Sequence, residues 1–188
     1  MRFSSKAGGF IFFANPKTGS TSVEKLLTRY SKFWLGVYKH TSVAEARELF
    51  HQRQRGGFFE SAFKFTFTRN PWDRMVSLYE YSRKHHGLTL PFDAWTEHLR
   101  PDAVDGKLTS ACSFEAFTDG GQVDEIIKLE EMNERLPPLL SRLNIPCRGI
   151  PKANAIPRAH YRTYYNQTTE ARIASLYTAD IERFGYSF

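Results

Sequence analysis

Asn15-Pro16-Lys17-Thr18-Gly19-Ser20-Thr21-Ser22 follows the apolar run Phe10-Ile11-Phe12-Phe13-Ala14 and precedes an amphipathic stretch. An apolar run, a turn bearing Pro and Gly, and a hydroxyl-rich start to a periodic segment read as strand, tight turn and helix. In that arrangement the amides of the first helical turn converge on one spot, because the opening N–H groups of a helix lack intrahelical partners. The hydroxyls of Ser20, Thr21 and Ser22 add donors and Lys17 adds a mobile positive charge, so the turn suits phosphate or a similar oxyanion. The Walker A loop is the nearest familiar pattern, but it ends in Gly-Lys-Ser/Thr at the helix start. Here the lysine precedes the only glycine of the loop, and no apolar strand ends in an aspartate placed to hold magnesium. An ordinary ATPase or GTPase is therefore disfavoured. A Ser/Thr-capped helix start with no ligand also accounts for this stretch taken alone.

A second junction strengthens the anion reading. Ala62-Phe63-Lys64-Phe65-Thr66-Phe67-Thr68 alternates apolar and polar with a period of two, as a strand does. It runs into Arg69-Asn70-Pro71-Trp72-Asp73-Arg74, where Asn70 suits an N-cap, Pro71 the first helical position and Asp73 the positive end of the dipole. Arg69 then stands at the mouth of the sheet, with Ser77 about two turns along the helix. A planar guanidinium and a hydroxyl converging there suit a phosphate monoester.

Together these residues resemble a family. Pro16 to Ser22 resembles the 5′-phosphosulfate loop of sulfotransferases that use 3′-phosphoadenosine 5′-phosphosulfate. Arg69-Asn70-Pro71 with Arg74, Ser77 and Tyr79 resembles their 3′-phosphate motif. The likeness is greatest to the carbohydrate branch, that of heparan sulfate 2-O- and chondroitin sulfotransferases and their small bacterial relatives. Tyr161-Arg162-Thr163-Tyr164-Tyr165 and Asp180 to Tyr186 are similar to the end of that family's domain, so the resemblance spans Phe10 to Phe188. It implies a P-loop-like α/β fold over residues 1–188 as a single domain, with a central, mainly parallel sheet flanked by helices.

The resemblance also implies the chemistry: in-line transfer of a sulfuryl group to a hydroxyl of a saccharide, glycolipid or related acceptor, with adenosine 3′,5′-bisphosphate as the product and no metal required. Cofactor contacts carried over are Lys17, Thr18, Gly19, Ser20, Thr21, Ser22, Arg69 and Ser77. Lys152, Asn154 and Arg158 join them, from a basic loop at a place where the family closes over nucleotide or acceptor. Lys17 would neutralise the bridging oxygen as the bisphosphate departs. In the 2-O-sulfotransferase branch a histidine between the two motifs acts as base, which places that role on His40; other branches use a glutamate, leaving Glu24 as the second choice. His85 and His86 read as cations favouring a helix C-terminus. Around Thr109 to Phe114 the chain departs from the family's glutamine-bearing acceptor segment. From the residues alone, a nucleotide kinase or NTPase and a catalytically silent nucleotide- or sulfate-binding module stay open.

Composition agrees with this class. The 188 residues, 41% hydrophobic and including sixteen Phe, suffice for one sizeable core. Lys and Arg total 26 against 20 Asp and Glu, a formal charge of +6, which favours anionic partners. Nucleic acid is disfavoured, since zinc-finger spacing, RNA-binding signatures and a long basic helix are all lacking. Cys112 and Cys147 show no metal-ligand spacing, and a thiol-tolerant compartment is expected. No apolar window reaches the ~20 residues of a membrane span, and no secretory leader is evident. The family's eukaryotic members are usually anchored in the Golgi, so the expectation is a bacterial cytoplasmic enzyme or a trimmed catalytic domain. Helices are expected near 20–31, 43–54, 71–85, 91–99, 134–143 and 168–183, and strands near 9–15, 63–68 and 125–129.

Overall fold

Alternation along the first apolar run sorts its side chains onto the two faces of a sheet. The computed structural model describes residues 1–4, 9–31, 38–103, 107–151 and 156–188. Its four strands lie in the order β1 (Arg2–Ser4), β2 (Phe10–Phe13), β3 (Phe63–Thr68), β4 (Glu125–Lys128). β1 runs antiparallel to β2, whereas β2–β3 and β3–β4 are parallel, with Phe12 opposite Phe65 and Phe67 opposite Ile127. Around the sheet run α1 (Ser20–Leu27), α2 (Val43–Gln52), α3 (Gly56–Ser61), α4 (Pro71–His86), α5 (Phe92–Thr96), α6 (Phe114–Thr118), α7 (Met132–Arg142), α8 (Gln167–Leu176) and α9 (Thr178–Phe184). This is the expected α/β arrangement of a mainly parallel sheet between helices. Among the described residues, no helix is long and apolar enough to cross a membrane.

Phe10, Phe12, Phe65, Phe67 and Ile127 pack with Val23 and Leu27 of α1 and with Leu136, Leu139 and Leu140 of α7. Ile11 and Phe13 turn the other way, onto Val43, Ala46 and Phe50 of α2, Phe59 of α3 and Phe117 of α6. Each such side chain, fully buried, contributes about 1.5–3 kcal/mol. Because both faces of β2 are covered, its four residues are all buried and the run reads as continuously apolar. A third cluster joins Trp72, Met75 and Leu78 of α4 to Ile173 and Tyr177 at the end of the chain.

Three expected helices differ from their expected bounds by more than two residues or are divided. α1 stops at Leu27, where the Thr28 hydroxyl donates to Glu24 O (2.8 Å) and Ser31 to Leu27 O (2.7 Å), taking up the last carbonyls locally. α5 ends at Thr96, after which Glu97, His98 and Leu99 donate three residues back and tighten the chain. The stretch expected as one helix over 168–183 is two, α8 and α9, broken at Tyr177 (φ −121°, ψ 29°). The Tyr177 hydroxyl reaches across to Ala111 O (2.6 Å), a tertiary contact that outweighs local helical preference. The strand β1 and the short helices α3 and α6 carry no periodic signal long enough to predict.

Candidate functional site

Parallel strands aim their C-terminal ends the same way, and the loops leaving β2, β3 and β4 form the walls of one cleft. At the first of these, the Asn15 side chain donates to Phe67 O in β3 (3.0 Å), tying the loop to the neighbouring strand. Lys17 (φ 63°) and Gly19 (φ 77°) both adopt left-handed backbone, which turns the chain sharply so that α1 starts at Ser20 on the cleft wall. A non-glycine residue in that region costs about 1–2 kcal/mol, and such strain collects where geometry serves function. At Gly19 a side chain is also barred sterically: a Cβ would meet Leu129 Cδ1 at 2.7 Å and Met132 Cε at 3.0 Å.

The second loop is set by its caps. Asn70 accepts from the amides of Trp72 (3.1 Å) and Asp73 (3.4 Å), and Pro71 opens α4. The Asn70 amide donates to Glu130 Oε1 (2.9 Å), anchoring the turn to the segment after β4. Arg69 bridges the two loops: its NH1 donates to Lys17 O (3.0 Å), and its Nε and NH2 donate to Asp73 Oδ2 (2.9 and 2.6 Å). Arg158 donates to the other oxygen of Asp73. Burial alone would raise the Asp73 pKa, but the two guanidiniums outweigh it and hold it below the usual carboxylate value.

The turn before α2 brings in a third group. Tyr38 O accepts from the Thr41 amide (3.3 Å) and hydroxyl (2.6 Å), and the Ser42–Glu45 capping box fixes the helix start beyond it. His40 Nδ1 lies 2.6 Å from Ala14 O. A carbonyl only accepts, so Nδ1 carries the proton and the neutral ring presents its lone pair at Nε2. Although His40 is solvent-exposed in part, burial of its inner side outweighs the carbonyl bond and lowers its pKa, with the Lys39 cation acting in the same direction. The imidazole is therefore mostly neutral at pH 7, as a base requires.

These groups face a cleft of about 680 Å³, a volume that suits a nucleotide-sized ligand. Of the residues singled out in the sequence, Lys17, Gly19, Ser20, Thr21, Ser22, His40, Arg69, Ser77 and Arg158 line it. Thr18 does not: its hydroxyl donates inward to Asn15 O (2.9 Å), leaving only its backbone to contribute. Lys152 and Asn154 lie outside the described residues. Glu24, on α1, is buried and pairs with Lys39 (3.0 Å). Burial, then Arg69, Lys39 and Arg158, lowers the Lys17 pKa to about 8. Its ammonium sits 3.9 Å from the centroid of the Tyr81 ring.

Lys39, Tyr81 and His86 also line the cleft and were not singled out as site residues. Tyr81 stands four residues after Ser77 and eight after Asp73, so helical spacing places all three on one face of α4, a signal the sequence does contain. Lys39, whose Nζ donates to Thr21 Oγ1 at 2.7 Å, comes from another element and has no such signal. Four cations thus converge around one hollow, beside a neutral imidazole, an arrangement suited to a polyanion and to removing a proton next to it.

Residues 3–187 match the model of the Sulfotransferase family. No curated protein matches the chain. Among solved structures, a sulfotransferase from Alicyclobacillus acidocaldarius aligns at 18% identity over 93% of this chain and 81% of that one, with a TM-score of 0.35. That similarity is too distant to bear on fold or chemistry, and the family match stands without it.

Proposed function

Because the chain belongs to the sulfotransferase family, we propose that it moves a sulfuryl group from 3′-phosphoadenosine 5′-phosphosulfate to a hydroxyl of a saccharide or related acceptor. The observation that carries this is the convergence of two strand-to-helix junctions, one bearing Lys17 and the other Arg69, on a single cleft that also receives His40. The residues fit the donor: burial together with three neighbouring cations lowers the Lys17 pKa to about 8, and an Arg158 nitrogen is buried without a hydrogen-bond partner. When bound, the donor supplies the sulfuryl group.

The start of α1 and Lys17 would hold the 5′ end, while Arg69, Ser77 and Arg158 would hold the 3′-phosphate. His40 Nε2 takes the acceptor proton as the new sulfur–oxygen bond forms. Lys17 would supply positive charge at the 5′ end of the donor, where negative charge develops as the bisphosphate departs. The overall step is a displacement in which positioning and charge stabilisation do most of the catalysis.

Thermal-shift titration with adenosine 3′,5′-bisphosphate, run beside ATP with magnesium, tests this reading. A ligand at ~100 times its Kd adds about 2.7 kcal/mol, a rise of about 5–10 °C for a chain of this size. A shift with the bisphosphate alone is expected, followed by transfer of labelled sulfate to a hydroxyl acceptor. A shift confined to ATP and magnesium would move the assignment to phosphoryl transfer.

A further inference from the structure

Asp73 is the one carboxylate that binds both cleft arginines among the described residues, and it does so with a different oxygen for each. Oδ2 accepts from Nε and NH2 of Arg69 (2.9 and 2.6 Å), and Oδ1 accepts from NH2 of Arg158. An acidic residue in the first turn of a helix is ordinary, since it complements the dipole. A dipole partner, however, has no need of a second guanidinium delivered from 85 residues further along the chain. The arrangement is also costly by itself, because it places a negative charge beside a site built for anions.

The donor count explains it. A guanidinium offers five N–H groups in a fixed plane. Arg69 spends three, two on Asp73 and one on Lys17 O. Arg158 NH1 is buried and has no hydrogen-bond partner, a state that costs free energy unless a ligand answers it. Asp73 thus takes one edge of the Arg69 fork and a single nitrogen of the Arg158 fork, leaving other donors of both, held in one place by a single carboxylate. Resting on the sulfotransferase reading, we propose that Asp73 is a positioning residue: it holds Arg69 and Arg158 as one rigid dianion receptor and so sets selectivity for nucleotides carrying a 3′-phosphate. Two flexible cations without that carboxylate would repel each other and lose side-chain entropy on every binding event.

Field and positioning predict opposite signs, which makes the proposal testable. Asp73→Asn removes a negative charge next to the site, so a purely electrostatic role would tighten bisphosphate binding. The positioning role predicts at least about tenfold weaker binding of adenosine 3′,5′-bisphosphate. It predicts little change for adenosine 5′-monophosphate, which lacks the 3′-phosphate. Calorimetric titration of both nucleotides against the wild type and Asp73→Asn, with a melting curve for each protein, reads the ratio directly. Should Asp73→Asn fail to fold, Asp73→Glu keeps the charge while displacing the carboxylate by one methylene, and the same loss of selectivity is expected. Equal or tighter bisphosphate binding in the variant that folds, with wild-type selectivity intact, would overturn the role of Asp73 alone. A wild type that binds the two nucleotides equally would overturn the functional reading and this assignment with it.

Discussion

Lys17 carries the tension of the site in one side chain. Its native pKa of about 8 lies below the ordinary lysine value of 10.5 because burial and three neighbouring cations oppose its charge. The unfolded chain therefore binds more protons than the native one between pH 8 and 10.5, so stability rises with pH across that window and the full penalty applies below it. Lys17→Met is expected to raise stability at pH 7 by about 1 kcal/mol, after discounting for solvent screening, while abolishing turnover; denaturant melts and a transfer assay measure the two effects. A bound polyanion reverses the balance of charge around Lys17 and restores its proton. Bisphosphate binding near pH 8 should then take up a fraction of a proton, seen as a binding enthalpy that varies with the ionisation enthalpy of the buffer. His40 completes the profile. Its lowered pKa places the acid limb of kcat/KM below the usual imidazole range, and deprotonation of Lys17 gives an alkaline limb near pH 8. His40→Ala should retain bisphosphate affinity and lose turnover by about 10²-fold; a variant that turns over near-normally would remove His40 from the mechanism.

At the level of elements, the two strand–loop–helix junctions were legible because each is written locally. Asn70, Pro71 and Asp73 meet the demands of a helix start in consecutive positions, and Gly19 satisfies a left-handed turn that no other residue fits as well. Gly19→Ala combines an unfavourable φ with contact against Leu129 and Met132, and is expected to cost about 2 kcal/mol or more and to weaken nucleotide binding together with it. Melting temperature and bisphosphate titration of the same variant check both consequences. What stayed illegible arises between elements. The inward turn of the Thr18 hydroxyl depends on Asn15 being tied to β3, and the approach of Lys39 to Thr21 depends on where the turn before α2 meets the start of α1. The break at Tyr177 is of the same kind: the apolar stripe of the last helices repeats through it without a Gly or Pro to mark it, and only the distant Ala111 carbonyl explains it.

The whole molecule is closed by a buried polar network centred on Arg74 of α4. Arg74 is 3% exposed, and its NH2 donates to Cys112 O at 2.6 Å, while its guanidinium carbon lies 5.3 Å from the centroid of Tyr177. From the other side, the Tyr177 hydroxyl donates to Ala111 O, and Asp180 Oδ2 accepts the Phe114 amide at 2.8 Å. The turn at 111–114 is therefore gripped by α4 and by the α8–α9 junction together, and Ser110, just before it, lines the cleft. Burial raises the Asp180 pKa, against the pull of the Phe114 amide and Arg74, so this carboxylate is carried at a cost that Arg74 partly offsets. Removing Arg74 leaves the Cys112 carbonyl unsatisfied and the Asp180 charge without its nearest cation, the situation in which a single substitution costs about 3–5 kcal/mol. Arg74→Ala is expected to lower the melting temperature by about 10 °C and, because the turn carries Ser110, to weaken cleft binding even at temperatures where the variant is folded. A loss under about 1 kcal/mol would mean that apolar packing holds α4, the turn at 111–114 and the last two helices together and that the polar network merely occupies the space between them.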